Sequence, residues 1–284
     1  MVKHIQYLFD HVGSDEEVVR WIRTFGSYDN VFAVLKVSGA SLEKYADKLA
    51  TDIAILSRLD LPIPVVYGWG DAFSRKLADN GIHSEKHAET GVRITKLEDL
   101  PFLEEIAHEH GAELAHRLND KGTHAGILHR VFSAYKKDLS GVDEHYTGDV
   151  TVVDLGDLEL FLDNGVVPLI PPVGYTSAGQ LMNINGDTAS RSLVHALNPR
   201  RYIMITNTGG ILDRDGNIIP SISIQNDYER LVADGVVSGG MKVKLDEVSN
   251  SIMDRPELCV QIAHPENLLK ELFTDKGMGT FIRY

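Results

Sequence analysis

Several glycine-rich turns that also carry charged residues are the features of this 284-residue sequence most able to do chemistry. Lys36 ends an apolar run shortly before Ser38-Gly39, and Gly239-Gly240 comes shortly before Lys244. A lysine beside exposed backbone amides can bind phosphate oxygens. Each turn alone is a weak signal, because a glycine pair usually serves backbone geometry and a lysine at a strand end usually extends its charge to solvent. Their joint order along the chain favours a phosphate-handling site.

Three common site motifs do not fit the sequence. Gly68-Trp69-Gly70-Asp71-Ala72-Phe73 follows an apolar run, but Phe73 stands where the dinucleotide-binding fingerprint has its third glycine. His108-Glu109-His110-Gly111-Ala112 has alanine where a zinc protease has its second histidine, so we interpret this stretch as the solvated surface of a helix. A GxxxxGK[ST] segment does not occur. We therefore predict no metal site held by the protein itself.

Composition and charge restrict the class of protein. The formal net charge of −13 disfavours nucleic acid as a partner, because binding phosphates along a strand needs a basic face. Charged residues interrupt every apolar run well before about 18 residues, so no membrane span is predicted. The first residues also lack the long apolar stretch of a signal peptide. We expect a cytoplasmic protein that concentrates positive charge locally if it handles anionic substrates.

Residues 1–28 are predicted to form a separate helical segment. Ser14 and Glu17 have the spacing of a capping box, Gly26 suits a helix end, and apolar residues also cluster upstream at residues 5–9. Four apolar residues share one helical stripe: Val18, Trp21, Ile22 and Phe25. The segment must pack on its own domain or on a neighbouring subunit, and the stripe is compatible with both.

From residue 31 onward the pattern is that of an α/β protein. Residues 31–35 and 63–67 are predicted strands, and apolar residues at helical spacing between them complete a βαβ unit. Later strand-like runs cover residues 151–153, 166–170 and 202–205, with helical patterns such as residues 189–197 between them. Asp215-Gly216 predicts a hairpin turn.

The order of these segments resembles the amino acid kinase family, most closely its acetylglutamate kinases and the kinase domains of synthase/kinases. The matching stretches are residues 32–40, 91–95, 177–187, 206–213, 239–244 and 271–280. The resemblance implies a three-layer α/β/α fold with a mainly parallel central sheet, preceded by an N-terminal helix. It implies one kinase domain, residues 29–284, with an acyl-substrate lobe at residues 29–199 and a nucleotide lobe at residues 200–284.

The implied reaction is the ATP-dependent phosphorylation of the γ-carboxylate of N-acetyl-L-glutamate, giving N-acetylglutamyl 5-phosphate for arginine biosynthesis. Mg²⁺ would enter with the nucleotide. A carboxylate with an ordinary pKa near 4.3 is already ionised at neutral pH, so the reaction needs no general base. Catalysis must then come from cations and amides that stabilise charge on the transferred phosphoryl group.

The resemblance also assigns roles to residues at matching positions. The implied catalytic residues are Lys36, Asp187 and Lys244, with Asp187 holding the two lysines. The implied substrate-binding residues are Gly68, Trp69, Gly70, Arg93 and Asn183. The implied ATP-binding residues are Gly39, Asn207, Thr208, Gly209, Leu212, Ser238 and Met241. An arginine-responsive regulatory region is implied at His264, Phe273, Thr274 and Gly277, and the family pattern implies a homo-oligomer, a tetramer or a hexamer.

Three residues depart from the family pattern. Ser38 replaces a glycine of the first turn, and Trp69 and Asp71 stand in a loop that usually carries only small residues and proline. If the indole enters the cleft it alters or blocks acyl-group binding, whereas an indole turned away leaves the backbone amides free to act. A catalytically weak, ligand-sensing subunit is therefore a second hypothesis, and the kinase portion of a longer synthase/kinase is a third.

Overall fold

A computed structural model describes residues 2–12, 16–20, 31–88, 90–237, 239–274 and 277–284. The strands are β1 (Ala33–Val37), β2 (Val65–Tyr67), β3 (Glu85–Lys86), β4 (Arg93–Ile94), β5 (Ala125–Ile127), β6 (Phe132–Lys136), β7 (Thr147–Val153), β8 (Val167–Ile170), β9 (Val173–Tyr175), β10 (Leu181–Ile184), β11 (Arg201–Ile205), β12 (Ser221–Ser223), β13 (Cys259–Ala263) and β14 (Thr280–Arg283). The helices are α1 (Val2–Val12), α2 (Gly39–Arg58), α3 (Gly70–Asp79), α4 (Leu100–Asp120), α5 (Gly156–Asp163), α6 (Gly186–Leu197), α7 (Ile224–Ala233), α8 (Gly239–Asp254) and α9 (Leu268–Phe273). Residues 16–20 are also helical, and short 3₁₀ turns cover Leu97–Asp99 and Pro265–Asn267.

A central sheet of eight strands has the order β12-β14-β13-β11-β1-β2-β8-β5. All neighbouring pairs run parallel except β13 and β14. Side chains of β1 alternate between the two faces: Leu35 and Val37 pack with α2, α3, α4 and α9, while Val34 packs with α5, α6, α7 and α8. Helices thus cover both faces of a mainly parallel sheet, which confirms the predicted three-layer α/β/α fold.

The remaining strands form two smaller units. Strands β6, β7, β9 and β10 close into a small barrel, and β3 pairs with β4 in a two-stranded hairpin. Of the barrel, the sequence pattern predicted only part of β7. The predicted turn at Asp215-Gly216 is confirmed, since Leu212 bridges Ile218 across it and Gly216 has a positive φ of +84°. Within the described residues, no helix is long and apolar enough to cross a membrane.

The described part of the N-terminal segment packs on its own domain. Helix α1 contacts α9, and Leu8, Val12 and Val18 belong to the same buried cluster as α2 and α9. The cluster of apolar residues near the N-terminus is therefore a docked helix, which the sequence pattern did not separate from the following segment. Ser14, Gly26 and most of the predicted apolar stripe lie outside the described residues.

A buried carboxylate lies where α1 meets α2. Asp52 on α2 is 0% exposed, and its carboxylate binds Lys48 Nζ and the hydroxyl of Tyr7 on α1. Burial raises the pKa of Asp52 from 3.8 to about 6, although Lys48 opposes the shift. Because this pKa is higher in the folded than in the unfolded chain, the group stabilises the fold at low pH. That contribution is lost as the pH rises from about 4 through about 6.

Replacing Asp52 by asparagine is expected to stabilise the protein at pH 8. A pKa shift of about two units corresponds to about 3 kcal/mol, and we expect a gain of about 1–2 kcal/mol because the variant also loses its ion pair with Lys48. The difference in the free energy of unfolding between the variant and wild type, measured in urea, should be about 1 kcal/mol smaller at pH 5 than at pH 8. Asp47→Asn, on the same helix with its side chain 71% exposed, is the control. An advantage that grows toward pH 5 would contradict the raised pKa.

Candidate functional site

Three helix N-termini meet at one cavity of about 320 Å³. Helices α2, α3 and α6 begin at Gly39, Gly70 and Gly186, and all three glycines line the cavity. The first two helices follow β1 and β2 directly, so the cavity lies at the carboxyl edge of the parallel sheet, where α/β proteins bind ligands. Each helix N-terminus presents unpaired N–H groups and a partial positive charge. The backbone alone therefore makes this cavity suitable for an anion.

The turn after β1 and the loop after β2 are in direct contact. A Cβ atom on Gly39 would lie 2.5 Å from the carbonyl carbon of Trp69 and 2.9 Å from the nitrogen of Gly70, so only glycine fits there. Ser38 caps α2, because its Oγ accepts a hydrogen bond of 3.2 Å from the amide of Ser41. The serine that replaces a glycine in the family pattern thus stabilises the helix start.

One aspartate bridges two lysines at the cavity. Asp187 Oδ1 lies 2.7 Å from Lys36 Nζ, and Asp187 Oδ2 lies 2.6 Å from Lys244 Nζ. Lys36 comes from β1, Asp187 from the first turn of α6 and Lys244 from α8, so the fold joins residues that are far apart in the sequence. The side chains of Lys36 and Asp187 are each 7% exposed.

The charge states of this bridge follow from its burial and its internal attraction. Burial lowers the pKa of Lys36 to about 8, although the neighbouring Asp187 opposes this shift. Burial also tends to raise the pKa of Asp187, but Lys36 and Lys244 more than offset it and hold that pKa well below its ordinary value. Asp187 is therefore ionised at neutral pH and is suited to hold the two cations in place. It is not suited to accept a proton.

The lowered pKa of Lys36 predicts loss of activity in mild alkali. If Lys36 has the catalytic role that the resemblance implies, it must be protonated to stabilise negative charge, and kcat/KM should fall as the pH rises through about 8. Lys36→Arg keeps its charge to far higher pH, so its remaining activity should stay level over the same range. Initial rates between pH 6.5 and 9.5 for both proteins check this. A wild-type profile that stays flat to pH 9.5 would contradict the assignment of the titration to Lys36.

Trp69 lines the cavity but does not fill it. Its side chain is packed in the apolar core with 5% of the residue exposed, and its ring meets Tyr67 edge to face at 6.4 Å. Of the two indole orientations that the sequence left open, packing in the core corresponds to the outward one, and Gly68, Trp69 and Gly70 all line the cavity.

Arg93 lines the cavity and also holds the loop after β2. Its guanidinium donates hydrogen bonds to Gly70 O at 3.0 Å, to Ser74 Oγ at 2.9 Å and to Ser84 Oγ, and it lies over the ring of Phe73. Burial lowers its pKa, but the guanidinium remains charged at any physiological pH. Arg93, which the resemblance assigned to a substrate carboxylate, is thus anchored to the neighbouring loop of Gly68-Trp69-Gly70, the glycine loop.

Two buried threonines orient Asn183. Its Nδ2 donates to Thr95 Oγ1 at 2.8 Å, the amide of Thr95 donates to Thr147 Oγ1 at 3.0 Å, and that hydroxyl donates to Arg93 O at 2.7 Å. Both threonines are at most 1% exposed, and Thr147 lines the cavity. Neither was predicted as a site residue. Thr95 lies in a stretch that resembles the family, which was the available signal, whereas Thr147 reaches the site only through the barrel.

Lys86 and Asp71 add two opposite charges to the cavity wall. Lys86 on β3 lies directly opposite Arg93 on β4 in the two-stranded hairpin, and both line the cavity. Asp71 lies in the first turn of α3, where the helix dipole favours an anion. Lys86 was not predicted, because a strand of two residues leaves no periodic pattern to detect.

The predicted ATP-binding residues divide into two groups. Gly39 lines the cavity, whereas Asn207, Thr208, Gly209, Leu212 and Met241 do not. Asn207 follows β11 and is connected to the start of α2, since Ser41 Oγ donates to Asn207 Oδ1 at 2.9 Å. Gly209 has a positive φ of +73° and packs closely against His264. Ser238 lies outside the described residues, and the assignment of all these residues to ATP stays a prediction.

The predicted regulatory residues follow β13 in the chain and lie in α9 or next to its two ends. His264 caps the 3₁₀ turn and meets Tyr45 edge to face at 5.0 Å, while Phe273 is 0% exposed. Thr274 is also buried, and Gly277 packs against the carboxylate of Glu271. Their arrangement gives this segment a structural role, and its response to arginine stays a prediction. In the part of the chain that the structure describes, no three His, Cys, Asp or Glu residues are grouped to hold a metal ion.

Comparison with protein families and curated proteins extends these observations. The family described as "Amino acid kinase family" matches residues 32–260. An acetylglutamate kinase of Xylella fastidiosa strain 9a5c is 35% identical over 277 residues, which cover 96% of this chain and 64% of that protein. The mitochondrial protein arg-6 of Neurospora crassa is 33% identical over 96% of this chain and 31% of its own length. An acetylglutamate kinase of Rhodopseudomonas palustris strain BisB18 is 31% identical, with 90% of this chain and 91% of that protein covered.

Solved structures share the fold. N-acetylglutamate synthase from Neisseria gonorrhoeae, complexed with coenzyme A and N-acetyl-glutamate, superposes with a TM-score of 0.84 at 24% identity. The match covers 95% of this chain and 62% of the synthase. Carbamate kinase from Giardia superposes with a TM-score of 0.67 at 11% identity over 90% of this chain and 99% of its own. The chain thus spans less than two thirds of the length of the Xylella kinase and of the synthase.

Proposed function

Because the chain belongs to the amino acid kinase family, we propose that it transfers the γ-phosphoryl group of ATP to the side-chain carboxylate of N-acetyl-L-glutamate. The observation that carries this proposal is the Lys36–Asp187–Lys244 bridge at a cavity where three helix N-termini meet. The product would be N-acetylglutamyl 5-phosphate, an intermediate for arginine biosynthesis in the cytoplasm. In this proposal residues 29–199 hold the acyl substrate and residues 200–284 hold the nucleotide.

The proposed step needs charge stabilisation and no proton transfer. A carboxylate oxygen forms a bond to the γ-phosphorus while the bond from that phosphorus to the β,γ-bridging oxygen breaks, and ADP leaves. Lys36 and Lys244 neutralise charge on the group in transfer, and Asp187 fixes the distance between the two ammonium groups. Backbone N–H groups at the starts of α2 and α3 supply further donors without any rearrangement.

The cavity fits a nucleotide phosphate and an acidic substrate. Phosphate oxygens can approach the amides at the start of α2 beside the Lys36 ammonium, since Lys36, Ser38 and Gly39 all line the cavity. Mg²⁺ would enter bound to the nucleotide and would neutralise phosphate charge. Arg93 and Lys86 are suited to bind the α-carboxylate, while Asn183 is positioned to bind the acylated amine nitrogen or the carboxylate.

We also propose that arginine acts on the α9 region and that the protein works as a homo-oligomer. The contact between α1 and α9 supports a regulatory role, because a ligand beside α9 would also change the docking of the N-terminal helix. A shift in melting temperature or in kcat on adding L-arginine, with no shift on adding L-lysine, would support it. A flat response to both would remove arginine from the proposal.

Trapping of the acyl phosphate with hydroxylamine tests the reaction. The protein is incubated with MgATP and N-acetylglutamate, glutamate, aspartate or N-acetylaminoadipate, and the hydroxamate is measured by its colour with iron(III). The proposal predicts hydroxamate with N-acetylglutamate above the other three acids. A folded protein that gives no hydroxamate with any of them would favour the ligand-sensing subunit, the alternative suggested by Trp69 and Asp71.

A further inference from the structure

His110 on α4 reaches the glycine loop from behind the cavity. The sequence pattern placed this residue on a solvated helix face, but the structure shows it half-buried, with Nδ1 3.2 Å from the carbonyl oxygen of Gly68. A carbonyl oxygen only accepts hydrogen bonds, so Nδ1 must carry the proton and donate. The interpretation of this stretch as a solvated surface therefore holds for His108 and Glu109, which are exposed, and does not hold for His110.

The hydrogen bond fixes the direction of one peptide group. In a trans peptide the carbonyl and the following N–H point to opposite sides, so a Gly68 carbonyl held toward α4 turns the N–H of Trp69 away from α4. The next peptide is fixed in the same way, because the carbonyl of Trp69 accepts from the amide of Ala72 at 2.9 Å. Arg93 holds the carbonyl of Gly70 at 3.0 Å. All three loop carbonyls are thus bound by protein groups, and Trp69 and Gly70 both line the cavity.

The packing of α4 keeps His110 in place. Tyr67 Oη donates to the carbonyl of Ala107 at 2.6 Å, and a methyl group on Gly111 would overlap that same hydroxyl. The helix therefore lies as close to the end of β2 as its backbone permits. At this distance the side chain of His110 reaches the glycine loop.

We propose that His110 is a positioning residue for the transfer reaction. It orients the Gly68–Trp69 peptide so that the Trp69 N–H points at the negative charge of the acyl carboxylate and of the phosphoryl group in transfer. This inference rests on the proposed function, since its kinetic effect exists only if the chain transfers a phosphoryl group to a carboxylate.

Two substitutions separate the hydrogen bond from the volume of the side chain. His110→Leu removes the donor, and we expect kcat with N-acetylglutamate to fall about tenfold while the KM for ATP changes little. His110→Asn places an amide N–H near the position of Nδ1, and we expect it to recover most of the lost rate. His116→Leu is the matched control on the same helix, because its side chain is 74% exposed, and it should behave as wild type.

The outcomes distinguish the inference from the proposed function. A His110→Leu protein with a lower melting temperature but an unchanged kcat at 25 °C would overturn the positioning role. If wild type forms no acyl phosphate, the proposed function fails. The hydrogen bond between His110 and Gly68 can then still be tested on the imidazole ring itself. ¹⁵N NMR of the imidazole at pH 8 should then show Nδ1 protonated, and a ring protonated at Nε2 alone would refute the hydrogen bond to Gly68.

Discussion

Replacing Lys244 by methionine is expected to lower kcat by about 10³-fold while leaving the fold intact. Methionine keeps the length and apolar stem of lysine but removes the ammonium group that lies 2.6 Å from Asp187. In the proposed reaction the transferred phosphoryl group then loses one of its two lysine ammonium groups, and Asp187 is left with Lys36 alone. Initial rates of acyl phosphate formation at saturating ATP and acyl substrate measure the effect.

Lys242→Met is the matched control for this prediction. Lys242 is two residues away on α8, and its ammonium pairs with Asp246 on the same helix at 2.7 Å. Its side chain is 43% exposed, so the same substitution here removes an exposed ion pair. We expect its kcat to stay within about twofold of wild type, since an exposed helix pair contributes little. Equal losses in the two variants would contradict a specific role for Lys244.

The second large effect is expected from Gly39→Ala. The added methyl group would lie 2.5 Å from the carbonyl carbon of Trp69 and 2.7 Å from its Cα, which are backbone atoms that cannot turn aside. The first turn and the glycine loop must then separate, which displaces the amides at the starts of both α2 and α3. We expect about 2–3 kcal/mol of lost stability and a fall in kcat/KM of about 10²-fold, measured by urea unfolding and by initial rates.

Gly68→Ala is the control for the steric argument. Its added methyl group would meet the nitrogen of Gly39 at 3.5 Å and the carbonyl oxygen of Val37 at 3.6 Å, which are ordinary contact distances. This variant should lose less than about 1 kcal/mol of stability. If Gly39→Ala were as stable as Gly68→Ala, the close approach of the two loops would not constrain residue 39.

Four of the eight strands of the central sheet, β1, β2, β8 and β11, could be predicted because they are buried on both faces. Such strands appear as continuous apolar runs, and the runs ending at Lys36 and Tyr67 are bounded by glycine-containing turns. The alternation of these runs with amphipathic helices indicated an α/β protein, and the family resemblance implied the three-layer arrangement. The barrel did not follow, because β9 and β10 are strands of only three and four residues, and the barrel closes through their pairing with β6 and β7, which lie further away in the sequence.

The site could be predicted where its residues end a strand or begin a helix. Lys36, Asp187 and Lys244 were chosen from the sequence by resemblance, and the structure brings their charged groups together at one cavity. The supporting groups could not be found in that way. His110 contacts a backbone carbonyl, and Thr147 bonds the backbone amide of Thr95 and the backbone carbonyl of Arg93, so neither has a characteristic spacing to its partner in the sequence.

Transfer of oxygen from substrate to phosphate tests the proposed reaction most directly. N-acetylglutamate labelled with ¹⁸O in its side-chain carboxylate is incubated with MgATP and the protein, and hydroxylamine then cleaves the product at the carbonyl carbon. If the carboxylate attacks the γ-phosphorus, the released phosphate carries one ¹⁸O atom, which shifts its ³¹P NMR line, and Lys244→Met gives almost none. Phosphate without ¹⁸O would show that water attacks ATP, and it would contradict phosphorylation of the acyl substrate.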